Sequence, residues 1–353
     1  MTVSAFDHPI LSALVGDDDV AAHFAFEAEL AAMLEFETAL ATAQARCGLI
    51  PADAASRITA ITPGFKADIA ALRAGAARDG LMVPALVAQL RAAVGEPHSR
   101  YVHFGSTSQD VLDSALMLRL KAVLPKLRAR LQHVIGDLTE LESRFARQPL
   151  MGRTRMQRAL PITVHDRLRT WRAPLERHIV RLDDIAPRLL AVQCGGAVGT
   201  LDAMQGEGAE VARELGALLG LAVPDICWQA QRDTIAEFAG LLSLMTGSLG
   251  KIGQDVVLMA QNEIGEISLS GGGGSSAMPH KHNPVSAEVL VTLARFNAAQ
   301  LAAMHGALAH EQERSGSAWT LEWLVLPQMV VATAAALRLA GKMLGGVTAM
   351  GGS

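Results

Sequence analysis

Almost nothing in this chain alternates apolar and polar residues with period two, whereas long stretches repeat apolar residues at three- and four-residue steps. The longest run over about 108–147, 161–190, 230–267, 285–310 and 320–344. Helices of that length, joined by short connections, bury their apolar stripes by packing side by side, so the expected fold class is all-α, a long-helix bundle. Several stretches are apolar over more than one face, and such a helix must cover both. Association with other copies of the chain is the expectation, and a monomeric bundle the alternative. Pro125 predicts a kink in the first long helix, and Pro161 reads as the first-turn proline of the second. Gly195–Gly199 reads as irregular, with a further helix over about 205–219.

Ahead of the bundle, Asp17, Asp18 and Asp19 read as the N-cap and first turn of a helix reaching about Arg46, where Gly48 and Pro51 stop it. Its apolar stripe is Ala22, Phe26, Leu30, Met33, Leu34 and Leu40. Residues 52–95 read as short helices broken at Pro63-Gly64, Gly80 and Pro84. The chain therefore divides into a small helical domain over 1–100 and a central long-helix bundle domain over 101–353.

Charge and cysteine usage narrow the function. With 31 basic and 35 acidic residues among 353, the net charge of −4 argues against a nucleic-acid partner or an anionic membrane surface. Cys47, Cys194 and Cys227 are far apart and odd in number, which predicts neither disulfides nor a zinc site and suits a reducing cytoplasm. The N-terminus lacks a basic-then-apolar leader pattern. The longest uncharged apolar run, Trp323 to Leu337, is interrupted by Pro327 and Gln328 and reads as too short to span a bilayer, so a soluble protein is expected.

Three polar segments interrupt the helices. In the first, His103, Gly105, Ser106, Thr107, Ser108, Gln109 and Asp110 precede a long helix, either as ordinary N-capping or as a cradle of small hydroxyls and free N–H groups for an anion. The second, Gly152 to Thr163, sets Arg153, Arg155 and Arg158 beside Thr154 and Gln157, which is either a solvated basic loop or a binder of a polycarboxylate. The third, Ser270 to Pro284, strings four glycines before Ser275, Ser276, His280, Lys281, His282 and Asn283. That run is an interdomain linker or a hinged loop that closes over an anion.

Taken together the segments resemble the fumarase/aspartase superfamily, which includes the argininosuccinate and adenylosuccinate lyases. Gly274-Ser275-Ser276-Ala277-Met278-Pro279-His280-Lys281-His282-Asn283-Pro284 fits its G-S-S-x-M-P-x-K-x-N-P signature at every fixed position. Gly105–Asp110 and Gly152-Arg153-Thr154 match its other two regions in order. Gln231-Arg232-Asp233 and Glu313-Arg314-Ser315 are similar to further pieces of its lyases. Phe6–Ile10, Glu35–Leu40 and Trp319–Trp323 resemble its bacterial branch that closes a carboxymuconate to a lactone. The resemblance implies a homotetramer with a twenty-helix core and active sites shared between subunits, and a C-terminal domain largely missing from this chain. It implies a small-molecule tricarboxylate substrate and no cofactor or metal.

Residue by residue, the resemblance makes Ser275 the acid/base, with Lys281 and Asn283 stabilising the anion that forms. His103, Ser106, Thr107, Ser108, Arg153, Thr154, Arg155, Gln157, Arg158, Arg232 and Arg314 would bind substrate. His280 and His282 could assist, although a histidine in a polar loop is more often solvated. Arg155 departs from the G-R-T-H pattern of lyases that release amines. A basic amine needs a proton as it leaves, and arginine cannot supply one near neutral pH. A carboxylate that leaves, or attacks, as an anion needs only a fixed positive charge. That favours a cycloisomerase over a lyase releasing fumarate; a structural homologue without activity is the other alternative.

Overall fold

The computed structural model describes residues 3–271, 273, 274, 278 and 282–352. Its N-terminal part holds α1 (Ser12–Val15), α2 (Asp18–Ala21), α3 (Phe26–Arg46), α4 (Ala52–Ile61), α5 (Ile69–Asp79) and α6 (Val83–Val94). Asp17 caps α2 through Val20 N, as its position predicts, but the helix does not run on to Arg46. Ala22–Phe24 tighten into a 3-10 turn and Ala25 is extended, so α3 starts afresh at Phe26. The stops at Gly48, Pro63-Gly64 and Gly80 fall where the sequence puts them, whereas Pro84 breaks nothing: it sits in the first turn of α6, where its missing N–H costs no helix hydrogen bond.

Five long helices follow: α7 (Ser108–Phe145), α8 (Val164–Leu189), α10 (Asp233–Met259), α11 (Val285–Gly306) and α12 (Ser317–Gly345), with the shorter α9 (Gly208–Leu219) beside α3. The expected helical bundle is present. Glycines set its tightest seam, since a Cβ on Gly250 would lie 2.5 Å from Ala294 Cβ and one on Gly253 2.5 Å from the Ala287 carbonyl oxygen. The pair α10/α11 therefore packs backbone against side chain with no slack.

α10 and α12 are each long and apolar enough to cross a membrane, against the expectation that no run suffices. Their apolar windows are 61% and 78% buried inside the protein, which marks them as core helices.

Two antiparallel ribbons were not foreseen. β1 (Pro149–Thr154) pairs with β2 (Gln157–Thr163), and β3 (Ile267–Leu269) pairs with β4 (Val347–Met350). Pro161 lies within β2 opposite Met151, so it does not open α8. That helix begins at Val164, where Thr163 and Asp166 cap each other reciprocally (Thr163 N to Asp166 Oδ2, 2.9 Å; Asp166 N to Thr163 Oγ1, 3.3 Å). The stretch read as a helix over 230–267 likewise stops at Met259 and ends in β3.

Candidate active site

The first polar segment is built around a buried carboxylate. Asp110, at the third position of α7, is 0% exposed and accepts from Thr107 N (3.0 Å), Ser106 Oγ (3.2 Å), Gly195 N and Gly196 N (both 2.9 Å), and Gln229 Nε2 (3.3 Å). Burial pushes its pKa up to about 6, while the three backbone N–H groups pull the other way. The result joins the start of α7 to the 195–199 loop. Gly196 has φ +65°, and a Cβ there would sit 3.0 Å from the Gly105 carbonyl oxygen. Gln229 and this glycine loop were not singled out as site residues, because no local pattern ties them to residue 110.

Arg314, from the turn between α11 and α12, reaches the same place. It donates to Thr107 Oγ1 (3.0 Å), Gln109 Oε1 (3.1 Å) and the Ala197 carbonyl oxygen (3.1 Å). So Ser106, Thr107, Ser108 and Arg314 do assemble, around the first turn of a helix whose dipole favours an anion. His103 stands beside them with φ 59°, its Nδ1 2.5 Å from Glu37 Oε1.

Arg232 is not available there. It is 2% exposed and its guanidinium is spent on two buried carboxylates, Asp113 (2.7 and 3.1 Å) and Glu322 (2.9 and 2.5 Å), with the Trp228 ring 4.8 Å away. The expectation of a substrate contact at Arg232 gives way to a place in the core below the helix start.

The second segment is the β1–β2 hairpin. Arg155 and Met156 form its two-residue turn with φ 50° and 66°, the left-handed pair that matches strand twist. Thr154, Arg155, Gln157 and Arg158 are exposed, and Arg153 faces Arg158 across the ribbon. Arg153 itself turns inward, donating to Glu266 (2.7 and 2.8 Å), so it anchors the hairpin instead of lining its tip. The clue available in the sequence was Thr163-Val-His-Asp166, a capping box that fixes where the helix starts and so leaves 149–162 to something else.

The third segment is described at its root only. Asn283 and Gly273 exchange both backbone hydrogen bonds (2.8 and 2.9 Å), closing the loop at its base just before α11. Ser275, His280 and Lys281 lie outside the described residues. The loop's root and the hairpin's root share one end of the molecule: Ser270 N bonds to Gly346 O (2.7 Å), Gly351 N to Glu266 O (2.9 Å) and Gly352 N to Pro149 O (2.9 Å).

Ser106–Ser108 are at the other end. They start α7, and the hairpin begins four residues after it stops; at 1.5 Å per residue its 38 residues span about 57 Å. Within one chain the hydroxyl segment and the hairpin therefore lie at opposite ends of α7. A cavity of about 530 Å³ lies elsewhere, between the N-terminal helices and α7/α12, lined by Phe24, Phe26, Leu72, Met82, Leu116 and Trp323. It does not include the hydroxyl segment.

Residues 16–297 match the model of a lyase family. The chain belongs to this lyase family. Its fold is that of the fumarase/aspartase-type lyases. A 3-carboxy-cis,cis-muconate cycloisomerase of Pseudomonas aeruginosa is 42% identical over 92% of this chain and 72% of the relative. The crystal structure of a 3-carboxy-cis,cis-muconate lactonizing enzyme from Pseudomonas putida superposes with a TM-score of 0.90 at 37% identity, covering 96% of this chain and 77% of that one. An N-acetyl-S-(2-succino)cysteine lyase of Enterococcus italicus is 35% identical over 91% of this lyase-family chain and 71% of the relative.

Proposed function

We propose that this protein is a 3-carboxy-cis,cis-muconate cycloisomerase that forms a lactone within one substrate molecule. The observation that carries the choice is a guanidinium, Arg155, at the exposed turn of the β1–β2 hairpin, where amine-releasing lyases keep an imidazole. The relatives named above support it. A carboxylate of the diene attacks an alkene carbon while a proton goes to the neighbouring carbon. Between them lies an enolate of a carboxylate, and its stabilisation is the main task of the site. Lys281, Asn283 and backbone N–H groups of the glycine loop are assigned to that dianion, and Ser275 to the proton. A serine hydroxyl serves only if its alkoxide is stabilised, which Lys281 would do. Ser106, Thr107, Ser108 and Arg314 bind one end of the substrate, and Thr154, Arg155, Gln157 and Arg158 the other.

Because about 57 Å separates the hydroxyl segment from the hairpin along α7, this reading needs more than one chain per site. It includes a homotetramer of four 37.2 kDa chains, about 150 kDa, with each site completed by neighbours. Exposed apolar side chains on three of the long helices, Val180 on α8, Leu244 on α10 and Leu324 on α12, suit such contacts. The two-domain division, near residue 100, and a cytoplasmic setting belong to the same reading.

The test follows the conjugated diene by its ultraviolet absorbance, with and without Ser275→Ala. Loss of absorbance in the native protein and its near-abolition in the variant are expected. A parallel assay for fumarate release separates the rival. Arg155 weighs less against a sulfur leaving group than against an amine, because a thiol with a pKa of about 8.5 leaves readily as the anion. Fumarate released from an S-succinyl thiol, with the diene untouched, would replace this proposal by a carbon–sulfur lyase.

A further inference from the structure

Glu37 sits on the buried stripe of α3, 3% exposed, among Met33, Phe36 and Leu40. A carboxylate in that place needs a reason, because burying one without a partner is costly. Its partner is His103, whose Nδ1 lies 2.5 Å from Glu37 Oε1. A carboxylate only accepts, so Nδ1 carries a proton, and Nε2 is left as the polar atom on the other side of the ring. The bond holds His103 in a backbone conformation, φ 59°, that few residues other than glycine adopt. The ring is thereby fixed four residues before Thr107, beside the hydroxyl segment.

We infer that Glu37 is a positioning residue for the proposed reaction: it orients His103 and keeps it a cation whose Nε2–H meets a substrate carboxylate. This rests on the cycloisomerase reading given above. The charged groups facing the ring come from three elements, Glu37 on α3, Asp110 on α7 and Arg91 on α6. Burial and Arg91 lower the pKa of His103, Glu37 and Asp110 raise it, and the net direction is up. His103 therefore stays charged at a pH where a free histidine has lost its proton, and substrate binding should weaken as pH rises through its raised pKa.

The experiment compares the native enzyme with Glu37→Gln and Glu37→Asp over a range of pH. The glutamine can still accept from Nδ1 but carries no charge, and the aspartate keeps the charge on a shorter arm. For Glu37→Gln, KM rises about tenfold near neutral pH with kcat much less affected, the loss of one charge-assisted contact. The pH at which KM begins to climb moves down, and Glu37→Asp restores part of the native profile. In parallel, ¹³C-labelled histidine NMR, with the His103 signal assigned through His103→Gln, reads the titration without substrate. His103 titrating above the ordinary value of about 6.5 in the native protein and lower in Glu37→Gln is expected. An unchanged KM profile in Glu37→Gln, or a His103 titration at or below the ordinary value in the native protein, overturns the inference. The native titration needs no variant, so it decides even if Glu37→Gln does not fold. If the native protein turns over no diene while His103 titrates as expected, the substrate assignment fails and the Glu37–His103 pair stands.

Discussion

Arg232 and Arg314 look alike in sequence, each flanked by residues of a lyase-like tripeptide, yet they end in different jobs. The difference is set by what their helices bring against them. Asp113 and Glu322, 2% and 3% exposed, close on Arg232 from α7 and α12, whereas Arg314 meets only neutral acceptors at the mouth of the α7 start. Replacing Arg232 by methionine strands two buried carboxylates, and we expect a loss of about 3–5 kcal/mol in chemical denaturation. Arg314→Lys, which keeps the charge but cannot span three neutral acceptors, should cost only about 1 kcal/mol of stability and show mainly in KM. Asp110 gives a pH signature. An acid whose folded pKa of about 6 lies above its unfolded value of 3.8 binds its proton more tightly when folded, so stability falls as pH rises between those values. Measured against Asp110→Asn, which cannot ionise, the native protein should lose roughly 2–3 kcal/mol of relative stability from pH 4 to pH 6. At this scale the motif residues were legible and their partners were not. Glu37 did leave a trace, a charge on an apolar helical stripe, whereas nothing near residue 110 points to Gly195 or Gln229.

At the scale of elements, helix spacing placed the five long helices to within about four residues, except at the end of α10, and it misassigned Pro161 to a helix start. Both misreadings, at Pro161 and beyond Met259, fall where a short ribbon takes over from a helix. Such ribbons are hard to read because their strands are only three to seven residues long, too short for an apolar alternation to stand out. Gly152 has a further constraint, since a Cβ there would lie 2.7 Å from the Leu160 carbonyl oxygen at the bulge between Met151 and Arg153. The α10/α11 seam should be equally unforgiving. Gly253→Ala drives a methyl into the Ala287 carbonyl, and a destabilisation of about 1–3 kcal/mol by thermal or urea unfolding is expected. Since α11 starts directly at the root of the glycine loop, the same substitution should also lower kcat.

At the scale of the molecule, the distance between the hydroxyl segment and the hairpin makes the proposed assembly testable through activity. Thr107→Val impairs the hydroxyl segment, and Ser275→Ala impairs the loop. Each alone should be nearly inactive. Unfolded together, mixed one to one and refolded, they should recover about a quarter of native activity, because half the copies of each piece are sound and the two are drawn from different chains. No recovery at all, with mixed assemblies shown by mass, would mean that both pieces of a site come from one chain. Light scattering at low concentration should find about 150 kDa, four times 37.2 kDa. The bundle was legible because periodicity is a local property. The separation of its polar ends was legible only in part, since it depends on which direction each helix runs.

The length of α7 carries a consequence for inheritance. If sites are shared between chains as proposed, then in a cell holding one sound and one faulty copy of the gene, a protein damaged at a single polar segment spoils only those catalytic centres to which it lends that segment. Output should then decline in simple proportion to the faulty share, and such alleles should behave as recessive. A copy damaged at both ends reaches into twice as many centres, and output then falls with nearly the square of the sound fraction.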